Sequence, residues 1–412
     1  MSTDPSNRPP AEAESRRRSA LPAGLALLGA VAALAWVFWT AGSDRLLDGR
    51  GGLSSRLRLF RDVPPGGRFP NDPYAGSGAC AECHPGEYAL FTGSGHARTF
   101  RVAADCRISD ELAGVSVPDP EDPRVRWSFW KRDGRFELTR DADGRIERFV
   151  VDYALGSGHH ATTFVTVQEL DPPRALEHRL THYTSTGLLG ITPGQESENA
   201  KPGNTAVGCE LFTRETVKCF GCHATELSGR SELAVDPATM IPGVTCERCH
   251  GPARAHVEAA RRGAGGDDLR IPAESGRWEA RRQLEFCGRC HRHPNRVPPD
   301  QLNPDDPHLA RFQPIGLSQS RCFKASGGRF TCLSCHDPHA RTTTEPAAYE
   351  RVCTGCHGTG SPGAGAQAAG VGSACPISPS KECLSCHMPR VDSGQHVLFT
   401  DHWIRVRATA RH

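Results

Sequence analysis

Methionine and large apolar side chains are scarce in this sequence. The 412-residue chain holds 3 Met, 16 Phe, 6 Trp and 5 Tyr, and hydrophobic residues are 37% of the total. So thin a supply does not build one large core, and chains in that position use metals, cofactors or disulfides instead. An excess of either charge is also missing: 49 Lys and Arg against 47 Asp and Glu leave a net +2. That balance excludes the basic surface of a nucleic-acid binder.

What the chain does have is 43 Gly, 32 Pro, 18 Cys and 19 His. The Gly and Pro read as turns and loops. The Cys and His carry the chemistry, because every CxxC is followed at once by His. The seven motifs are Cys80-Ala-Glu-Cys83-His84, Cys219-Phe-Gly-Cys222-His223, Cys246-Glu-Arg-Cys249-His250, Cys287-Gly-Arg-Cys290-His291, Cys332-Leu-Ser-Cys335-His336, Cys353-Thr-Gly-Cys356-His357 and Cys383-Leu-Ser-Cys386-His387. This is the attachment signature of c-type haem. Two Cys on one helical turn each form a thioether with a haem vinyl group, and the adjacent His lies beneath the iron as its proximal ligand. Zinc knuckles also use CxxC, but they do not require His directly after the second Cys. Disulfide pairing of these Cys fails on the same ground. The expected cofactors are therefore seven covalently attached c-type haems.

Cys106, Cys209, Cys322 and Cys375 remain outside the motifs. An even number of spare Cys in an oxidising compartment fits disulfides, with buried free thiols as the alternative.

The second axial ligand decides whether a haem iron only passes electrons or also binds a small molecule. Met can supply few of these ligands: only Met1, Met240 and Met388 exist, and Met388 directly follows a proximal His. Distal ligation must fall mostly to His. His96, His256, His339 and His402 are candidates, as are His396 and His160, the last with its neighbour His159 as a rival. His256 and His339 lie too close in sequence to His250 and His336 to wrap around their own haems, so each should reach a neighbouring one. Six distal ligands leave a seventh place, for which His182, His293 and His308 compete.

Residues 1–19 are polar with an Arg cluster, and residues 20–42 run uncharged for about 20 residues, the length of a membrane-crossing helix. The upstream Arg favours a cytoplasmic N-terminus and an exported remainder. A cleaved signal sequence is the rival reading of the same segment. Residues 43–75 read as a linker and 76–412 as the haem domain. Within it, a β-rich insertion spans about 115–170, with hairpin turns at Arg132-Asp133-Gly134 and Asp141-Ala142-Asp143-Gly144. The Gly- and Ala-rich stretch 358–372 reads as a flexible insertion. The expected fold is a multihaem cytochrome c: mainly short α-helices and loops packed around haems, with that small antiparallel insertion and an N-terminal transmembrane helix.

Taken together, SGHA with His96, CFGCHAT, GVTCERCHGPARAH with His256, TCLSCHDPH with His339 and CLSCHMPR…HVLFTDHWIR with His396 and His402 resemble one group of proteins. These are the exported multihaem cytochromes c of the broad superfamily containing the nitrifiers' tetrahaem cytochrome, pentahaem nitrite reductase and octahaem hydroxylamine oxidoreductase. The resemblance spans residues 76–405 and implies that His in these settings are distal haem ligands. Two departures matter. The chain has no CxxCK, which typically attaches the catalytic haem of the nitrite reductases, and no tyrosine is identifiable as a haem crosslink. The expected role is electron transfer in an extracytoplasmic respiratory chain, from the membrane, with a quinol-oxidising complex or other cytochromes as partners. The competing expectation is an oxidoreductase acting on a small nitrogen or sulfur compound at one five-coordinate haem.

Overall fold

The computed structural model describes residues 73–407, apart from 171, 200–201, 229–233, 237–238, 272–277, 358–374, 379 and 394–396. The expected anchor at 20–42, nearly all of the linker, and the 358–372 insertion lie outside the described residues. Among the described residues, no helix is long and apolar enough to cross a membrane.

Two helices open the described chain, α1 (Ser77–Ala81) and α2 (Pro85–Thr92). A β region follows: β1 (Phe100–Val102), helix α3 (Arg107–Leu112), β2 (Ser116–Pro118), β3 (Val125–Arg132), β4 (Arg135–Ala142), β5 (Arg145–Val151), β6 (Tyr153–Leu155), β7 (Ala161–Leu170), β8 (Pro173–Tyr183), β9 (Leu188–Ile191), β10 (Asn204–Thr205) and β11 (Gly208–Leu211). Strands β2-β3-β4-β5 form one antiparallel sheet, and β1-β6-β7-β8-β11-β10 form a second in which β9 also pairs with β8. The β region thus runs from Phe100 to Leu211, well past the expected 115–170.

The hairpin turns follow from local chemistry. Asp133 and Gly134 both have positive φ, as do Asp143 and Gly144, which is the twist that two-residue hairpin loops require. Alternation then decides the faces. Val125, Trp127 and Phe129 of β3 point inward with Phe136 and Leu138 of β4. Phe129 and Phe136 meet Phe164 of β7 with ring centres 6.1 and 5.4 Å away, so the two sheets pack through aromatics. A polar bolt joins the sheets at one end. Arg179 of β8 donates to Asp119 and Glu121, and Trp127 Nε1 donates to the same Asp119 carboxylate.

Beyond β11 the chain becomes helical: α4 (Thr213–His223), the ribbon β12 (Ala224–Glu226) and β13 (Ile241–Pro242), α5 (Cys246–His250), α6 (Arg254–Arg261), α7 (Ala280–His291), α8 (Gln313–Gln319), α9 (Arg321–Ala325), α10 (Pro346–His357), α11 (Cys383–His387), and the ribbon β14 (Arg390–Asp392) with β15 (Leu398–Thr400). Buried apolar side chains become sparse here. Past Val244 they are Ala253, Ala259, Ala280, Leu284, Leu309, Ala310, Ile315, Leu317 and Val397 among the described residues.

Candidate metal centre

Each CxxCH sits at the end of, or forms, a short helix or helical turn. Motifs two, four and six close α4, α7 and α10, motifs three and seven constitute α5 and α11, motif one begins in the last turn of α1, and motif five opens on a 3₁₀ turn. The β region fixes motif two directly. Phe220, between its two Cys, is fully buried against Phe100 and Tyr153, with ring centres 4.9 and 5.8 Å away. Met240 is buried in the same apolar cluster, which removes it from the pool of exposed iron ligands.

Three motif His have a partner ring at nearly the same spacing. The centroids of His96 and His291 are 6.2 Å apart, those of His250 and His339 6.1 Å, and those of His336 and His402 6.2 Å. A metal–imidazole bond is about 2 Å and the ring centre lies about 1 Å behind its nitrogen, so two imidazoles sharing one iron are separated by roughly 6 Å. Parallel ring stacking alone would bring centroids closer, and the interplanar angles of 76°, 7° and 32° follow no common stacking geometry. The residues present fit a haem with an axial His on either face.

Hydrogen bonding at the far nitrogen supports that fit. Nδ1 of His402 bonds the Thr400 carbonyl at 2.9 Å, Nδ1 of His387 the Arg405 carbonyl at 3.1 Å, and Nδ1 of His256 the Leu269 carbonyl at 2.8 Å. His223 Nδ1 lies 3.1 Å from the Thr99 carbonyl and 2.7 Å from its hydroxyl, and His96 Nδ1 lies 3.4 Å from the Pro338 carbonyl. A carbonyl partner keeps the proton on Nδ1 and leaves Nε2 to bind metal. Burial lowers the pKa of His223, His291 and His336 and pushes that of His402 down to about 4, which keeps these four rings neutral, as ligation requires.

The other candidates are dispersed. His256 is on α6, which runs beside motif one: Arg261 pairs with Glu82 at 2.6 Å, and Arg254 donates to the Tyr74 carbonyl at 2.9 Å. The ring of His160 is 5.0 Å from that of Phe399 on β15, with His159 beside it. His396 lies outside the described residues. His84, His223, His357 and His387 have no second imidazole at single-iron spacing among the described residues. Of the contenders for a seventh distal place, His293 spends its Nδ1 on the backbone N–H of Asn295, His182 is on β8 and His308 is exposed. The spare Cys106, Cys209, Cys322 and Cys375 form no disulfide among the described residues, with Cys106 buried and its pKa raised to about 11 by that burial.

One signal escaped the sequence. Cysteines of different motifs lie side by side, and two of the four pairs skip a motif: Cys80 is beside Cys246 and Cys222 beside Cys290, whereas Cys287 beside Cys332 and Cys353 beside Cys383 join consecutive motifs.

Part of the chain is similar to known cytochromes. The family described as cytochrome c554 and c-prime matches residues 191–251, which include motifs two and three. The dissimilatory sulfite reductase MccA of Wolinella succinogenes is 24% identical over 417 aligned residues, covering 83% of this chain and 54% of that protein. The chain therefore spans about half the length of the curated relative it matches. Among solved structures, the outer cell wall cytochrome OcwA superposes with a TM-score of 0.44 and 15% identity, over 81% of this chain and 80% of that one.

Proposed function

We propose that this multihaem c-type cytochrome is a heptahaem electron relay, held at the extracytoplasmic face of a membrane by residues 20–42. The observation that carries the reading is the set of three imidazole pairs, His96–His291, His250–His339 and His336–His402, each spaced for one iron. When bound, haem supplies one-electron redox chemistry, and an iron capped by His on both faces exchanges electrons without binding substrate. The chain's own part is to hold attachment sites close together and to fix axial nitrogens. His339 follows motif five yet faces the His of motif three, and His402 follows motif seven yet faces the His of motif five. This interlocking draws neighbouring sites into one cluster. His256 beside motif one, His160 beside the final ribbon, and His396 are the distal candidates for the remaining irons. Donor and acceptor in this reading are redox proteins such as a quinol-oxidising complex or another cytochrome.

A second reading is favoured by two observations: a relative bears the name of a sulfite reductase, and four motif His have no partner ring among the described residues. In that reading one haem keeps an open face and reduces a small sulfur or nitrogen compound. Voltammetry of the haem-loaded protein adsorbed on an electrode separates the two. A relay gives a broad, reversible low-potential envelope that nitrite, hydroxylamine and sulfite leave unchanged. A catalytic current with any of them would replace the relay by the enzyme.

A further inference from the structure

The two residues between the Cys of motif three, Glu247 and Arg248, reach motifs two and four and the segment leading into motif one. Glu247 is 3% exposed and its carboxylate accepts the backbone N–H groups of Ala75, Gly76 and Ala253. This ties motif three to the segment leading into motif one, where Cys246 lies beside Cys80. Arg248 reaches the other way. Its Nη2 donates to the carbonyl of Gly221 inside motif two at 2.7 Å and its Nη1 to that of Thr225 at 3.4 Å, and the guanidinium lies beside Cys290 of motif four. The sulfur of Cys222 in motif two lies 3.9 Å from the Arg289 carbonyl of motif four.

The backbone prepares this meeting. Strand β12 begins where motif two ends, and β13 ends four residues before motif three, so the ribbon sets the two motifs side by side. Thr225 bolts it, with its hydroxyl donating to the Gly243 carbonyl at 2.7 Å and accepting from the Thr245 N–H at 2.8 Å.

We propose that Arg248 is the positioning residue of a three-way junction between the haem sites of motifs two, three and four, and that its charge raises the reduction potentials of the haems held there. Its hydrogen-bond partners are backbone carbonyls, and among the described residues it forms no ion pair. Arg289 is a second cation facing Cys290, carried by motif four itself. A fixed positive charge favours the reduced haem, which carries one positive charge fewer than the oxidised one. A unit charge about 10 Å away at an effective dielectric of about 20 changes such an equilibrium on the order of tenfold. The junction would then be the low-energy point of the network, where electrons from either side collect.

The proposal rests on the relay reading, and a potentiometric titration of haem-loaded full-length protein tests the two separately. Intact mass and haem stain first count the haems; a shortfall at motifs two, three or four in the wild type would sink the relay reading itself. Arg248→Gln is expected to keep every haem while a minority of the midpoints shift down, by about tenfold in the reduction equilibrium. Arg248→Lys, which keeps the charge, is expected to restore most of the shift. Full haem loading with unchanged midpoints in Arg248→Gln overturns the proposal. If Arg248→Gln fails to load its haems, Arg248→Lys decides: near-native midpoints support the role of the charge, and midpoints displaced from native overturn it.

Discussion

At the scale of single residues, reliable signals were those in which chemistry dictates spacing. Two Cys and a His must be contiguous to hold a haem, so the seven motifs were legible without any structure. The ring pairs were partly legible, because a proposed axial His can come from anywhere that folds nearby; His96, His339 and His402 sit opposite motif His at about 6 Å, whereas nothing local marks the contacts of Glu247 and Arg248. Burial leaves its own testable trace at Asp152, away from the haem sites. Its carboxyl is pushed up to about 7 by burial, only partly offset by the N–H of Val167 at 2.7 Å. An ordinary Asp ionises near 4, so as pH rises the unfolded chain loses this proton first. The folded state is penalised progressively between about pH 4 and 7, and fully above that. Asp152→Asn keeps an acceptor for Val167 and removes the ionisation. Its stability relative to wild type should climb across that window by on the order of a few kcal/mol and then level off. Urea unfolding of both proteins at about pH 5 and 8 measures this, and a difference independent of pH would refute it.

At the scale of elements, the first hairpins were legible and the second sheet was not. Strands β3 and β4 alternate cleanly around turns at Asp-Gly, the strongest short-range hairpin signal. Strand β8 hides its pattern because polar residues occupy inward positions: His178 and Thr181 are both fully buried. His178 bonds the Thr166 hydroxyl at 2.8 Å within the β region, and its complete burial there lowers its pKa to about 3. A close helix contact governs the last axial candidate. A Cβ on Gly316 of α8 would come within 2.7 Å of the Trp403 nitrogen and 2.9 Å of the His402 carbonyl carbon. Ser320 fastens the same contact, donating to the His402 carbonyl at 3.1 Å and accepting from the Ile404 N–H at 2.8 Å. Gly316→Ala must therefore push the His402 segment away. Visible and EPR spectra should show one haem turning wholly or partly high spin, as His402→Ala should do completely, with covalent haem retained in both. A fully low-spin His402→Ala protein would remove His402 from the ligand set, and a low-spin Gly316→Ala protein would show that the contact yields without moving it.

At the scale of the whole molecule, a two-sheet β region with a conventional aromatic core adjoins a helical region with little apolar filling. The first half holds motif two through Phe220; the second buries few apolar side chains among the described residues. The sequence pointed to that division, since six motifs fall between Cys219 and His387 with few large side chains between them. It could not reveal which motifs touch, because those contacts join residues far apart in the chain. The central claim is that seven haems are attached and that the irons are mostly capped by His on both faces. The most direct test is quantitative EPR of the oxidised, haem-loaded protein, integrated against the covalent haem count from intact mass. Seven haems per chain with low-spin signals dominating is the predicted result. Fewer than seven attached haems, or a majority of high-spin irons, would contradict it.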